Sequence, residues 1–131
     1  MPPVECVIEV EGNPHVVVFT SNAIFRLEER LGQSIVVIAS RLMRDDAGFR
    51  ELQAILWAGL EGARLRRRTP RASWSMDEVG DLIDAGGGPP VFWPRWAKSV
   101  GQALAWAMPK PEPKPEPAGP ATSPETPVDP Q

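Results

Sequence analysis

The chain has 131 residues, a formal net charge of −3, one cysteine and one histidine. This length predicts one domain and little more. The net charge of −1 over residues 1–108 is not the basic footprint by which general nucleic-acid binders neutralise phosphates. One cysteine excludes an intrachain disulfide, and one histidine leaves no His/Cys cluster for a transition metal.

The N-terminal residues predict a β-hairpin. Residues 4–10 alternate apolar side chains with glutamate or valine, the period-two pattern of a half-buried strand, and residues 15–20 are mostly β-branched and apolar. Residues 11–14 between them are dense in turn formers. Because a two-stranded ribbon is only marginally stable by itself, we expect it to pack on helices.

Helical spacing of apolar residues predicts four or five helices after the hairpin. They fall at residues 22–31, 34–43 and 49–65, directly after Ser75, and from Arg95 to residue 108. The second is ambiguous, because its Ile-Val-Val-Ile run also suits a strand, but its length and a capping Ser34 favour a helix. We expect Pro89, Pro90 and Pro94 to keep the link before the last helix extended.

The sequence ends in a segment of different composition. Nine of the 23 residues at 109–131 are proline, and Val128 is the one aliphatic side chain there that is larger than alanine. Such a segment cannot bury enough apolar surface to offset its ordering entropy. We therefore expect an α+β domain at residues 1–108, with the hairpin packed on four or five helices, and a disordered proline-rich tail at residues 109–131.

The residues form no convincing catalytic or ligand-binding constellation. His15 lies in the hairpin, and the neighbours Asp45 and Asp46 do not form a carboxylate pair by spacing alone. Glycines at residues 86–88 follow a helix instead of opening one, so they predict a helix stop and not a phosphate loop. We expect no enzyme activity, cofactor or metal. No signal pattern opens the chain and no window approaches the ~18 apolar residues of a membrane span, so we expect a cytoplasmic protein without membrane contact.

Aromatic side chains are the strongest functional signal. Five tryptophans and four phenylalanines all lie within residues 1–108, and tryptophan is enriched among interface anchors. Because so small a domain does not readily hide every large ring, we predict a protein-binding surface formed by Trp74, Phe92, Trp93, Trp96 and Trp106. The alternative, that these rings close the core, stays open.

An arginine-rich run is the feature best suited to an anionic partner. It comprises Arg64, Arg66, Arg67, Arg68 and Arg71. With Trp74 nearby, these side chains could pair with phosphates and stack a base. The first of them also fall at a helix C-terminus, where cations complement the helix dipole. An anionic partner is therefore an alternative, and we expect nucleic acid not to be the partner.

Three groups of cap and core residues occur in an order that is typical of one protein family. They are Asn22-Ala23 with Leu27-Glu28-Glu29 and Leu31-Gly32, then Leu56-Trp57-Ala58-Gly59-Leu60, then Thr69-Pro70 leading through Ser75-Met76-Asp77-Glu78-Val79 to Leu82-Ile83. With the hairpin before them and an Ala/Trp helix after them, they resemble the tail assembly chaperones of long-tailed phages, of the gene-transfer-agent type found in prophages. The resemblance covers residues 4–108.

The resemblance implies a non-virion assembly factor in the host cytoplasm. Such proteins bind the tape measure protein, keep its long apolar helices soluble and help to recruit tail tube subunits before they are released. Proteins of this type are sometimes labelled tail tube components, but tube subunits form rings from β-rich sandwiches, whereas this chain offers one hairpin and several helices. The proline-rich tail and the Trp-rich last segment depart from the family's pattern.

Two alternatives to the chaperone hypothesis remain at this point. One is a small nucleic-acid-binding regulator that uses residues 64–71. The other is a minor structural component of the tail. Whether the domain associates with itself is also left open by the sequence.

Overall fold

Five helices follow a two-stranded antiparallel hairpin in the computed structural model, which describes residues 3–68 and 70–108. This arrangement confirms the predicted α+β class. The elements are β1 (Glu5–Val10), β2 (Asn13–Val18), α1 (Ser21–Leu31), α2 (Ile35–Met43), α3 (Phe49–Arg67), α4 (Met76–Ala85) and α5 (Pro89–Ala105). The tail predicted at residues 109–131 lies outside the described residues. No helix in the described part combines the length and apolar character of a membrane span.

The hairpin turns over two residues. Glu11 and Gly12 have φ angles of 53° and 79°, and positive φ at both central positions is the type I′ geometry that matches the twist of paired strands. The turn is therefore shorter than the predicted 11–14, and β2 begins at Asn13. On β1, every second side chain is buried against the helices, as the period-two pattern predicts: Cys6, Ile8 and Val10.

Side-chain hydroxyl groups cap the N-termini of three helices. Hydroxyl oxygens of Thr20, Ser34 and Ser75 each accept a hydrogen bond from the backbone N–H three residues ahead, at 3.1–3.3 Å. The ambiguous segment after Ser34 is helix α2 and not a strand. Its spacing decides this, because one helical face buries Ile38, Ala39 and Leu42.

Helix α3 is the centre of the domain and packs closely on β2. Two of its glycines permit the contact, since a Cβ on Gly59 would collide with the Val17 side chain, and one on Gly62 with the Val18 carbonyl oxygen. Ala54, Ile55, Leu56, Ala58 and Leu60 of α3 are buried. The hairpin, marginal by itself, is thereby stabilised by burial against this helix.

Helix α5 begins earlier than the sequence predicts. The extended link expected at Pro89, Pro90 and Pro94 is wrong, because α5 starts at Pro89 and contains all three prolines. Pro89 and Pro90 occupy the first turn, where the backbone N–H has no helical partner to lose. Pro94 lies inside the helix, on an exposed position, where an interior proline removes one helical hydrogen bond.

Candidate protein-binding site

Two of the five aromatic residues predicted to bind a partner belong to the core. Phe92 is 0 % exposed and Trp93 6 %, and their rings meet edge to face with centroids 5.0 Å apart. The predicted exposure of these two rings is wrong. Its cause is the early start of α5, which continues the helix through both residues and places them on the stripe that buries Val100 and Leu104.

The other three aromatic residues are half-buried, and contacts within the domain already hold two of them. The Nε1–H of Trp106 donates to the Phe19 carbonyl oxygen at 2.6 Å. The Trp74 ring lies under the Arg71 guanidinium, whose central carbon is 3.6 Å from the ring centroid. These contacts stabilise the fold, and for Trp74, Trp96 and Trp106 a role in partner binding stays a prediction.

An apolar groove lies between α2 and α5. It consists of two adjoining cavities of about 340 and 330 Å³, both lined by Leu42, Ala97 and Lys98. The first continues to Asp45, Ala47, Leu52, Trp93 and Pro94. The second continues along the C-terminal half of α5, where its lining is Met43, Gly101, Gln102 and Ala105. We call this continuous surface the α2–α5 groove.

Met43 forms an exposed edge of the α2–α5 groove. Its side chain is 78 % exposed, more than any other large hydrophobic side chain in the described residues. A methionine side chain is flexible and polarisable, which suits it to apolar partners of varied shape. The sequence contains a signal for this surface, since α2 holds more apolar residues than one buried face can use. A prediction based on aromatic rings missed it.

Small side chains form the α5 wall of the groove. Ala97, Gly101 and Ala105 are spaced by four residues, so they lie on one face of the helix. A Cβ added to Gly101 would make only an ordinary contact, 3.6 Å from Leu42 Cδ2. The groove is therefore open at this point, and a partner can approach the α5 backbone closely.

Glu51 fixes the position of α2 beside the groove. Its Oε2 accepts a hydrogen bond from Arg41 Nη1 at 2.6 Å, and its Oε1 accepts one from the Gly48 N–H at 2.8 Å. The carboxylate is buried, and a buried charge is tolerated when it is paired and hydrogen-bonded in this way. Because Arg41 is on α2 and Glu51 on α3, this ion pair ties the two helices together.

The arginine run does not present five free cations. Arg64 donates to both carboxylate oxygens of Glu61, at 2.8 and 3.0 Å, and the Trp74 N–H donates to the same carboxylate at 2.8 Å. Glu61 is only 3 % exposed. Burial by itself would raise the pKa of Glu61, but the hydrogen bonds from Arg64 and Trp74, with the charge of Arg64, lower that pKa below its usual value near 4.5.

Two further arginines of the run also have carboxylate partners. Arg67 pairs with Glu5 at 2.7 Å, and Arg71 with Glu78 at 3.2 Å. Arg66 and Arg68 are exposed. Arg67 thereby joins the end of α3 to β1, and Arg71 joins the link after α3 to α4. An anionic partner would therefore find a smaller patch of unpaired arginines than the sequence suggests.

His15 lies beside this link, next to Arg71 and Trp74. Its ring meets the Trp74 ring edge to face at 6.0 Å between centroids. Burial, and then the nearby charge of Arg71, lower the pKa of His15 below its usual value near 6.5. The described residues hold no group of three or more His, Cys, Asp or Glu side chains that could bind a metal ion.

The sequence model of a family described as phage tail tube protein, GTA-gp10, matches residues 4–85. No curated protein and no solved structure matches the chain. The matched residues run from the start of the hairpin to the end of α4, and α5 follows them.

Proposed function

The chain belongs to the family described as phage tail tube protein, GTA-gp10, and we propose that within this family it acts as a tail assembly chaperone. In this role it binds an apolar helix of another tail protein while the tail is built. The tape measure protein is the client that the resemblance implies, and tail tube subunits are the second partner. The protein acts in the host cytoplasm, is absent from the finished particle and catalyses no reaction.

The α2–α5 groove is the observation that carries this proposal. Apolar surface that is continuous and exposed in a small domain marks a binding site more often than chance. The part of α5 between Pro94 and Ala105 spans about 17 Å, or roughly three helical turns. An amphipathic helix can therefore place apolar side chains at positions i, i+4 and i+7 along it, as other helix-in-groove complexes do.

The charges beside the groove favour one kind of client helix. Lys98 lines both cavities, near the middle of the groove, and Asp45 lines one end. A helix with an acidic residue opposite Lys98 and a basic residue near Asp45 would complement both. Such rim charges set orientation and association rate more than affinity.

Co-expression with the tape measure protein tests the proposal. Met43→Glu places a charge on the apolar edge of the groove, so we expect the soluble yield of the client to fall and its co-purification to be lost. Phe25→Glu is the matched control, because Phe25 is an exposed ring on α1 that does not line the groove. Equal co-purification with both variants would refute the groove as the client site.

A structural role in the tail is the second candidate, and the family's own description favours it. The fold of this chain favours the chaperone role, because a two-stranded hairpin with five helices in the described residues is unlike a β-rich tube subunit. Purified particles separate the two roles. A chaperone is absent from them by quantitative mass spectrometry, whereas a structural component is present in fixed proportion to the tube protein.

A further inference from the structure

The register of the hairpin gives its two strands different outer edges. Val10 and Asn13 flank the two-residue type I′ turn, so they exchange both of their backbone hydrogen bonds. Antiparallel pairing alternates, so the same exchange occurs in every second pair along the hairpin: Ile8 with His15, and Cys6 with Val17. The remaining residues of β1 direct their N–H and C=O groups away from β2.

The outer edge of β1 is open. Within residues 3–68 and 70–108, the outward backbone groups of Glu5, Val7 and Glu9 have no backbone hydrogen-bond partner. The outer edge of β2 is less suited to pairing, since α3 packs against the Val18 carbonyl oxygen and Pro14 has no N–H to offer. An open edge of this kind is a template for pairing with another strand.

We propose that the outer edge of β1 binds an extended segment of another tail protein, which adds a third, antiparallel strand to the hairpin. On the face that it shares with Glu5, Val7 and Glu9, the segment carries an apolar residue with a basic residue two positions before it and another two positions after it. Charge complementarity argues for this pattern, because Glu9 is exposed on the face where Val7 is 50 % exposed, and the Glu5 side chain stays 39 % exposed beside its partner Arg67. Opposite charges on paired strands stabilise the pairing. The proposal assumes the role in tail assembly proposed above, but it does not depend on the α2–α5 groove.

A second copy of this chain is a poorer occupant of the same edge. Antiparallel pairing of two β1 strands about Val7 would set Glu5 of each copy opposite Glu9 of the other. Like charges that face each other across paired strands destabilise the sheet. The edge therefore favours a different protein over self-association.

The test is an NMR titration of the full chain with a capped hexapeptide of sequence Thr-Lys-Thr-Val-Thr-Lys, which places lysine, valine and lysine on one face of a strand. We expect the amide signals of Glu5, Val7 and Glu9 to shift and to become protected from hydrogen exchange, because their N–H groups gain partners. The same hexapeptide with glutamate in place of lysine should bind weakly. Shifts that map elsewhere, an equal response to both peptides, or concentration-dependent dimers that pair through β1 would each overturn the proposal.

Two variants make the test specific to the strand edge. Val7→Pro removes one outward N–H and leaves the β1–β2 hydrogen bonds in place, so we expect about five-fold weaker binding from the loss of one hydrogen bond. Val7→Thr keeps the N–H and should bind as the parent does. Glu9→Lys leaves one acidic and one basic side chain on this face, so it should abolish the preference between the two peptides, and it keeps the test valid if Val7→Pro unfolds. Unchanged binding by the folded Val7→Pro variant, or an unchanged preference in Glu9→Lys, would overturn the proposal.

Failure of this proposal is separable from failure of the chaperone role. Met43→Glu should leave the peptide titration unchanged, because the α2–α5 groove and the outer edge of β1 share no residue. Val7→Pro should in turn leave co-purification of the tape measure protein intact. Loss of both activities in either variant would show that the two sites are not independent, which contradicts the proposal.

Discussion

The buried carboxylate of Glu61 holds the link between α3 and α4 close to α3. Glu61 accepts hydrogen bonds from Arg64 and from the Trp74 N–H, and Trp74 in turn has its carbonyl oxygen bonded by the Trp57 Nε1–H at 2.9 Å. One carboxylate thus connects an arginine of the run with two of the tryptophans. Arg64 and Trp74, which the sequence suggests for a functional surface, therefore make contacts that stabilise the fold.

Replacement of this carboxylate should show its contribution directly. We expect Glu61→Gln to lower the free energy of unfolding at neutral pH by about 2 kcal/mol, because Arg64 loses its charged partner in a largely buried place. Urea unfolding measures the change. Glu78→Gln is the matched control, since the exposed pair of Glu78 with Arg71 should contribute little.

The same substitution has a pH signature. The pKa of Glu61 is lower in the folded chain than its usual value near 4.5, so the unfolded chain binds the proton more tightly. The stability from Glu61 is therefore present above about pH 4.5 and is lost as the pH falls through the lower, folded-state pKa. The gap between parent and Glu61→Gln should close in that acid range, and a gap that is constant with pH would contradict this role.

At the scale of elements, α2 and α5 meet through small side chains and leave the α2–α5 groove between them. Gly101 marks its open wall, where there is space beside Leu42. An alanine fits that space, whereas a large ring would fill the groove itself. The size of the residue at position 101 can therefore change client binding without destabilising α5.

Two substitutions at Gly101 should therefore separate the stability of the domain from client binding. Gly101→Ala should raise the free energy of unfolding by up to about 1 kcal/mol through helix propensity and should keep client binding. Gly101→Trp should stay folded but bind the tape measure protein at least about ten-fold more weakly, a loss of roughly 1.4 kcal/mol. Thermal melts and binding titrations check both, and client binding by Gly101→Trp at the parent's affinity would argue against the groove.

Local signals made much of the fold predictable. Caps at Ser34 and Ser75 predict two helix starts, because a hydroxyl cap acts on the N–H three residues ahead and needs no distant contact. The start of α5 was missed because Pro89 and Pro90 suit both an extended link and a first helical turn. Tertiary packing on the rest of the domain decided between them.

The candidate site was harder to predict than the fold. The α2–α5 groove is lined by residues 42–43 and by residues 97–105. No local sequence pattern predicts which faces of two helices so far apart in the chain will pack together. The burial of Phe92 and Trp93 depends on the same docking. The pairing of Glu61 with Arg64, by contrast, is an i,i+3 contact on one helix, which the sequence spacing already permits.

At the scale of the whole molecule, the domain offers two surfaces of different chemistry. The outer edge of β1 is acidic and offers backbone hydrogen bonds, whereas the α2–α5 groove is apolar and fits a helix. The family match covers β1 and α2 but ends before α5. The groove is therefore built from one helix inside the matched region and one that follows it, so it must be tested on this chain itself.

Site-specific photo-crosslinking in the assembled complex tests the central claim most directly. A photoreactive residue would replace Met43 or Gln102 at the groove, or Phe25 and Arg66 away from it, with the tape measure protein co-expressed. We expect positions 43 and 102 to form adducts that mass spectrometry maps to one amphipathic helix of the tape measure protein, and positions 25 and 66 to form none. Adducts from position 25 or 66 without any from 43 and 102 would contradict the account.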